Sequence, residues 1–156
     1  MSANTWELDV ACSPTVFLAA VARHLPEAHT ASFEIRAACP EVRRIYAQHR
    51  SSKKYRPLRD TISPKTHLYY CLISERLSDQ LDRVLREHEP AKVFWHIKGF
   101  NDKNMLFSFH DADCGGSVCL SPHVASKTIR AIGAALGCKP RKIETRYVWE
   151  EDCRCS

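Results

Sequence analysis

Six side chains that can bind metals or take part in acid–base chemistry lie within the fifteen residues HDADCGGSVCLSPHV, numbers 110–124. A metal site built from this stretch would use His110, Asp113, Cys114, Cys119 and His123. These residues lack the C-x-x-C or H-x-x-x-H spacing of structural zinc sites. DCGG is typical of a tight turn, SVCLS of a short strand, and Ser-Pro at 121–122 of a helix start. We therefore interpret the stretch as a hairpin that runs into a helix, and we expect no metal site.

Eight cysteines are present, and the C-x-C pair Cys153 and Cys155 could hold a soft metal ion or exchange disulfides. Nothing nearby in sequence completes a ligand set, and a polar chain end commonly frays. The start, MSANTWELDV, has neither the basic nor the apolar region of a secretion signal. No apolar run reaches the length of about 18 residues that a membrane span requires. We expect a cytoplasmic protein with reduced cysteines and no membrane partner.

Motifs for catalysis are absent from the sequence. There is no G-x-S-x-G segment, and none of the five glycines falls in a phosphate-binding loop pattern. The eight histidines are scattered, and His24, His49 and His88 fall on apolar helix stripes. We therefore name no catalytic residue and no cofactor, and the sequence favours a protein without catalysis.

Basic residues crowd into RRIYAQHRSSKKYRPLRD, numbers 43–60, and supply much of the formal net charge of +5. Clustered arginines and lysines with interleaved Tyr46 and Tyr55 could hold phosphates and stack bases, or attract an acidic protein surface. A solvated helix end followed by a surface loop is the common alternative. The candidate residues for partner or anion binding are Arg43, Arg44, Arg50, Lys53, Lys54, Tyr55, Arg56 and Arg59.

Alternating apolar and polar residues predict strands in TWELDVA, ASFEIRA, VFWHIK, MLFSFH and, more loosely, KIETRYVW. LYYCLI is apolar on both faces, which is typical of a central strand. Helices are predicted to begin at Ser13-Pro14, Ser74-Glu75 and Ser121-Pro122, with Gly137 ending the last, and a shorter helix is expected over about Pro40 to Arg50.

Strand, serine cap, helix and strand recur near 5–37, 66–98 and 104–149 within one predicted domain, 1–156. This order resembles ferredoxin-like β-α-β units and predicts an α+β fold, a largely antiparallel sheet with helices packed on one face. The other face should be at least partly wet, because its strands alternate cleanly. We expect that face to carry Glu7, Asp9, Glu34, Arg36, His96, Lys98, Ser108, His110, Glu144 and Arg146.

Residues 66–149 resemble a small bacterial α/β family of unknown function whose members often occur near polymorphic toxins, where they are candidate immunity proteins. The resemblance rests on LYYCLISERLSDQLDRVL, VFWHIKGFNDKNMLFSF and GGSVCLSPHVASKTIRAIGAALG. It implies a bacterial, toxin-neutralising protein and carries over no catalytic residue.

Besides an unrecognised enzyme or metal protein that would use His110, Asp113, Cys114 or the terminal cysteines, two functions remain open from the sequence. The first is a non-catalytic binding protein that occludes a protein partner with an acidic patch, such as a toxin, through the wet sheet face or the basic loop. The second is a nucleic-acid or phosphate-binding protein that uses the basic segment 43–59.

Overall fold

A computed structural model of the chain describes residues 3–10, 13–53 and 65–145. Its strands and helices are β1 (Ala3–Val10), α1 (Pro14–His24), β2 (Thr30–Ile35), α2 (Pro40–Gln48), β3 (His67–Leu72), α3 (Glu75–Leu85), β4 (His96–Phe100), β5 (Met105–Phe109), β6 (Gly116–Leu120), α4 (Ser126–Leu136) and β7 (Arg141–Thr145). A short 3-10 helix, Pro90–Lys92, precedes β4.

The strands form one antiparallel sheet in the order β3-β2-β4-β5-β6-β1-β7. The helices pack against one another, α1 against both α3 and α4, and α2 against α3. The predicted α+β class, a sheet with helices on one face, is confirmed. No helix in the described ranges is long and apolar enough to cross a membrane.

The strand-helix-strand units around α1, α3 and α4 each join two parallel strands that are not neighbours in the sheet. The strands on either side of α2, β2 and β3, are instead antiparallel neighbours. β3 and β4 are separated by β2, and β6 and β7 are separated by β1. β1 and β2 are farther apart, with β6, β5 and β4 between them. The pair β3 and β4 and the pair β6 and β7, each with one strand between its members, therefore have the split β-α-β arrangement of ferredoxin-like folds.

The hydrophobic core lies between the helices and the sheet. One row of side chains runs across the register from Leu8 through Val118, Phe109 and Ile97 to Phe33, all fully buried. Phe17 of α1 meets Phe107 and Phe109 edge to face, with ring centroids 5.0 and 5.7 Å apart. Aromatic pairs in this geometry add to the free energy gained by burial.

The helix starts agree with the sequence at two of three serines. The Ser13 side chain accepts a hydrogen bond from the Thr15 amide, and that of Ser74 accepts one from the Leu77 amide. The predicted start at Ser121 is wrong. There, the Ser121 hydroxyl accepts from the His123 amide within an isolated turn, and α4 begins only at Ser126. Gly137 ends α4 in the left-handed conformation, φ 67°, as predicted.

The face of the sheet opposite the helices is not wet at its centre, and that prediction is wrong there. Glu34, His96, Lys98 and Ser108 are only 2%, 9%, 5% and 1% exposed. Exposed positions are found at Asp9 and Glu144, near the β1–β7 edge, and at Arg36 after β2. Glu7 and His110 are half-buried, and Arg146 lies outside the described residues. Strand alternation places residues on a common face without determining whether water reaches it.

The prediction that LYYCLI is a central strand is also wrong. These residues form most of β3, which is an edge strand of the sheet. Its side chains are largely half-buried rather than buried, and Leu72 is 49% exposed. Burial in the middle of a sheet therefore does not explain why β3 carries apolar residues on both faces. A cleft that lies along this strand does explain it.

Candidate anion-binding cleft

A cleft of about 830 Å³ lies along the edge strand β3, between that strand and α2. Among the described residues it is lined by Arg43, Tyr46, Ala47, Arg50, Ser51, Ser52, Lys53, Leu68, Tyr69 and Tyr70. This lining contains three basic residues and no acidic one. Such a composition favours an anionic ligand or partner group.

The chain after α2 is held against β3, and this positions the basic residues. The Leu72 amide donates to the His49 carbonyl at 2.8 Å, and the Ser51 amide donates to the Tyr70 carbonyl at 2.9 Å. The Ser51 hydroxyl lies 3.1 Å from that of Thr30 and accepts a hydrogen bond from the Lys53 amide. These bonds fix the backbone of residues 49–53 at the rim of the cleft, with the long basic side chains outward.

The three cations among the described lining residues differ in whether an ion pair neutralises their charge. Arg43 and Arg50 are exposed, and neither forms an ion pair with a residue in the described ranges. Lys53 forms an ion pair with Asp102, at the turn between β4 and β5. That lysine holds the pKa of the Asp102 carboxyl below its usual range, with a smaller contribution from His29. The two arginines are therefore the cations most available to a ligand, and their guanidinium groups suit carboxylate or phosphate.

Aromatic rings form the inner wall of the cleft. Tyr46 stacks on both Phe33 and Tyr69, at centroid distances of 4.8 and 4.9 Å. Its hydroxyl donates to the Val93 carbonyl and its side chain is buried, so the prediction that Tyr46 could stack on a base is wrong. Tyr69 is half-buried, and it is the ring of this stack at the cleft surface.

Only part of the predicted basic cluster is brought together. Arg43, Arg50 and Lys53 share the cleft. Arg44, one residue farther along α2, instead lines a shallow cavity between α2 and α3. Consecutive helical residues lie about 100° apart around the axis, which explains this separation. Lys54, Tyr55, Arg56 and Arg59 lie outside the described residues.

The sequence did not identify the contribution of β3. Leu68, Tyr69 and Tyr70 line the cleft, whereas the apolar pattern of LYYCLI predicts only a central strand. The available signal was the pair of tyrosines in a strand that is apolar on both faces. The edge position of β3 explains that pattern, because side chains from both faces of an edge strand can border one groove.

The HDADCGGSVCLSPHV stretch forms a hairpin, as predicted. β5 and β6 pair with Phe109 opposite Val118, and Asp111 and Gly115 take positive φ values of 49° and 75° in the turn. Within the described residues, its histidines, aspartates and cysteines do not form a set of metal ligands. Cys119 does not face the helices, because it lies between Ser108 and Glu7 on the opposite face of the sheet.

The five described cysteines are Cys39, Cys71, Cys114, Cys119 and Cys138, and no disulfide joins any two of them. Cys12, Cys153 and Cys155 lie outside the described residues.

Comparison of the chain with protein-family models, with curated proteins and with solved structures finds no match.

Proposed function

We propose that this chain is a non-catalytic binding protein that holds an acidic patch of a protein partner in the cleft between α2 and β3. The observation that carries the proposal is the pair Arg43 and Arg50, which form no ion pair with any described residue, in a concave surface without a carboxylate among its described lining residues. Arginine beside aromatic rings is also the composition found at the centres of protein interfaces.

The choice of a toxin as partner, and of a bacterial immunity-type role in the cytoplasm, rests on the sequence resemblance. Charge complementarity at the cleft supports fast and selective association with an acidic surface. Because Arg43 and Arg50 are exposed, their effect should fall with rising salt. Binding by occlusion requires no catalytic group.

The test is capture of partners from the host lysate with tagged full-length chain. Wild type is compared with Arg43→Glu/Arg50→Glu, and captured proteins are identified and then titrated in purified form. We expect one acidic protein to bind wild type stoichiometrically and to bind the variant at least about tenfold more weakly, because each lost charge-assisted contact is worth about 1.5–3 kcal/mol.

The matched control is Lys127→Glu/Arg130→Glu, which makes the same change in net charge at exposed positions of α4, away from the cleft. This variant should bind the partner like wild type. If both double variants lose binding equally, net charge rather than the cleft determines the interaction. If the partner binds the cleft variant as tightly as wild type, the proposal is wrong.

A second candidate is single-stranded nucleic acid, and the observation that favours it is Tyr69. A base could stack on this ring while Arg43 and Arg50 contact phosphates, an arrangement typical of single-strand binding surfaces. Binding of labelled oligo(dT) or oligo(U) should then weaken steeply with salt and be lost in Tyr69→Ala as well as in Arg43→Glu/Arg50→Glu. Binding of neither oligonucleotide at low salt excludes this candidate.

A further inference from the structure

Three potential metal ligands meet where α2 begins and α3 ends. Glu41 lies in the first turn of α2, while Glu87 and His88 follow the last turn of α3. One ligand atom from each of the three side chains lies within 4.8 Å of the other two. The His88 Nε2 and a Glu41 carboxylate oxygen are 2.8 Å apart. In the described ranges this is the one group of three or more such side chains with this proximity.

The backbone around this group is well fixed. The amides of Glu87 and His88 both donate to the Val84 carbonyl at 3.0 Å, which defines the turn that ends α3. The Cys39 amide donates to the Lys92 carbonyl at 3.1 Å, which ties the start of α2 to the segment after α3. The main chain therefore brings the three side chains together, so little ordering of the backbone is needed for an ion to bind.

Ligand chemistry and geometry both suit a divalent transition-metal ion. Carboxylate oxygens and an imidazole nitrogen bind zinc at about 2.0–2.2 Å, which places tetrahedral ligand atoms about 3.4 Å apart. The three side chains are exposed or half-buried, so rotations of their terminal bonds can bring ligand atoms that now lie within 4.8 Å of one another to the spacing that a bound ion requires. Water would complete the coordination.

The immediate surroundings are not wholly acidic. Arg44 and Arg83 line the shallow cavity that also includes Glu41. Both arginines are exposed, and neither forms an ion pair with a residue in the described ranges. Their charges oppose cation binding, but exposed side chains can move aside and are screened by salt.

We propose that Glu41, Glu87 and His88 form a binding site for one divalent transition-metal ion that bridges α2 and α3. The ion would replace the hydrogen-bonded contact between His88 and Glu41, with neutral His88 supplying Nε2. This inference is independent of the proposed function of the cleft.

Manganese(II) is the probe that separates this site from the cysteines. Carboxylates readily bind Mn²⁺, whereas thiolates select softer ions such as zinc. Purified full-length chain is titrated with Mn²⁺, and free Mn²⁺ is followed by its electron paramagnetic resonance signal. We expect one bound Mn²⁺ per chain, displaced by one equivalent of Zn²⁺ when the thiols are first alkylated under native conditions.

Glu41→Gln and His88→Gln should each weaken Mn²⁺ binding by about tenfold or more, since even loss of a supporting contact costs about that much. Glu87→Gln provides a second test at an exposed position. Glu89→Gln, a nearby exposed carboxylate outside the group, is the matched control and should bind like wild type. Circular dichroism of each variant checks that the fold is retained. Absence of Mn²⁺ binding to wild type, or equal binding by all variants, would overturn the proposal.

Discussion

At the scale of single residues, the reactivity of each thiol depends on its surroundings. Burial raises the pKa of Cys71 to about 12, so almost none of this residue is present as the reactive thiolate near neutral pH. Cys114 is exposed, but the neighbouring Asp113 carboxylate raises its pKa. We expect iodoacetamide at pH 7.5 to label Cys114 faster than Cys71 in the native protein, as measured by peptide mass spectrometry.

Asp113→Asn provides the specific control for this prediction. Removing the carboxylate should lower the Cys114 pKa and speed its labelling, while Cys71 remains unreactive. Equal labelling of Cys71 and Cys114 in wild type would contradict the burial of Cys71. In denaturant the difference between the two should largely disappear.

Residue-scale features of the cleft were only partly predictable from the sequence. The basic segment was identified because its charges are clustered along the chain, and Arg43, Arg50 and Lys53 do meet. Arg44 has the same charge and nearly the same position in sequence, yet it faces another cavity. Tyr69 was missed because its role depends on α2 packing beside β3, a contact between distant parts of the chain.

At the scale of elements, the ion pair between Glu7 of β1 and Arg141 of β7 connects an edge strand to its neighbour. Arg141 donates a hydrogen bond to Glu7 and lowers its pKa below the usual 4.5. The pair therefore stabilises the fold above the pKa of the unfolded glutamate, and this contribution is lost as pH falls through the lower folded value. Arg141→Ala should lower Tm at pH 7, with the difference from wild type shrinking below pH 4.5.

Thermal unfolding followed by circular dichroism at several pH values measures this effect. Lys139→Ala removes a nearby basic side chain that forms no ion pair in the described ranges, so it controls for the loss of positive charge. If the Tm of Arg141→Ala stayed below that of wild type by the same amount from pH 7 to pH 3, the lost ion pair with Glu7 would not be the cause of the difference. Because Arg141 is largely exposed, the expected effect is small.

Two similar Ser-Pro sequences show what local signals can and cannot predict about elements. Ser13-Pro14 begins α1, and buried Phe17, Leu18 and Val21 follow within two turns. After Ser121-Pro122 the next two residues complete only an isolated turn, and Pro122 and His123 are exposed. The apolar stripe of α4 includes Ile129 and Ile132, so packing stabilises a helix only from Ser126 onward. Capping chemistry thus identified both turns, while the position of buried side chains decided which became a helix.

At the scale of the whole molecule, the α+β class and the antiparallel sheet followed from periodicity, because the strand pattern repeats every two residues and the helix pattern every three or four. The order of strands in the sheet could not be predicted from periodicity, since β1 pairs with β6 and β7 through contacts between distant parts of the sequence. The edge position of β3 and the burial of the polar sheet face depend on that order and on what packs around it.

The buried polar face makes a prediction about the stability of the whole fold. Lys98 lies at the centre of the sheet, between Ser32 and Ser108, and is 5% exposed. Lys98→Ala should lower the free energy of unfolding by about 2 kcal/mol or more, because it removes a packed aliphatic stem and disturbs buried polar contacts. Lys127→Ala, at an exposed position of α4, should change it by less than about 0.5 kcal/mol.

Urea unfolding at constant pH measures both variants, and Lys98→Met separates the two causes. Methionine keeps an unbranched apolar side chain and removes only the ammonium group. Stability close to wild type in Lys98→Met would assign the effect to packing, whereas a loss as large as in Lys98→Ala would assign it to the buried charge and its contacts. A Lys98→Ala variant as stable as Lys127→Ala would instead mean that water reaches the centre of this face, as strand alternation alone had predicted.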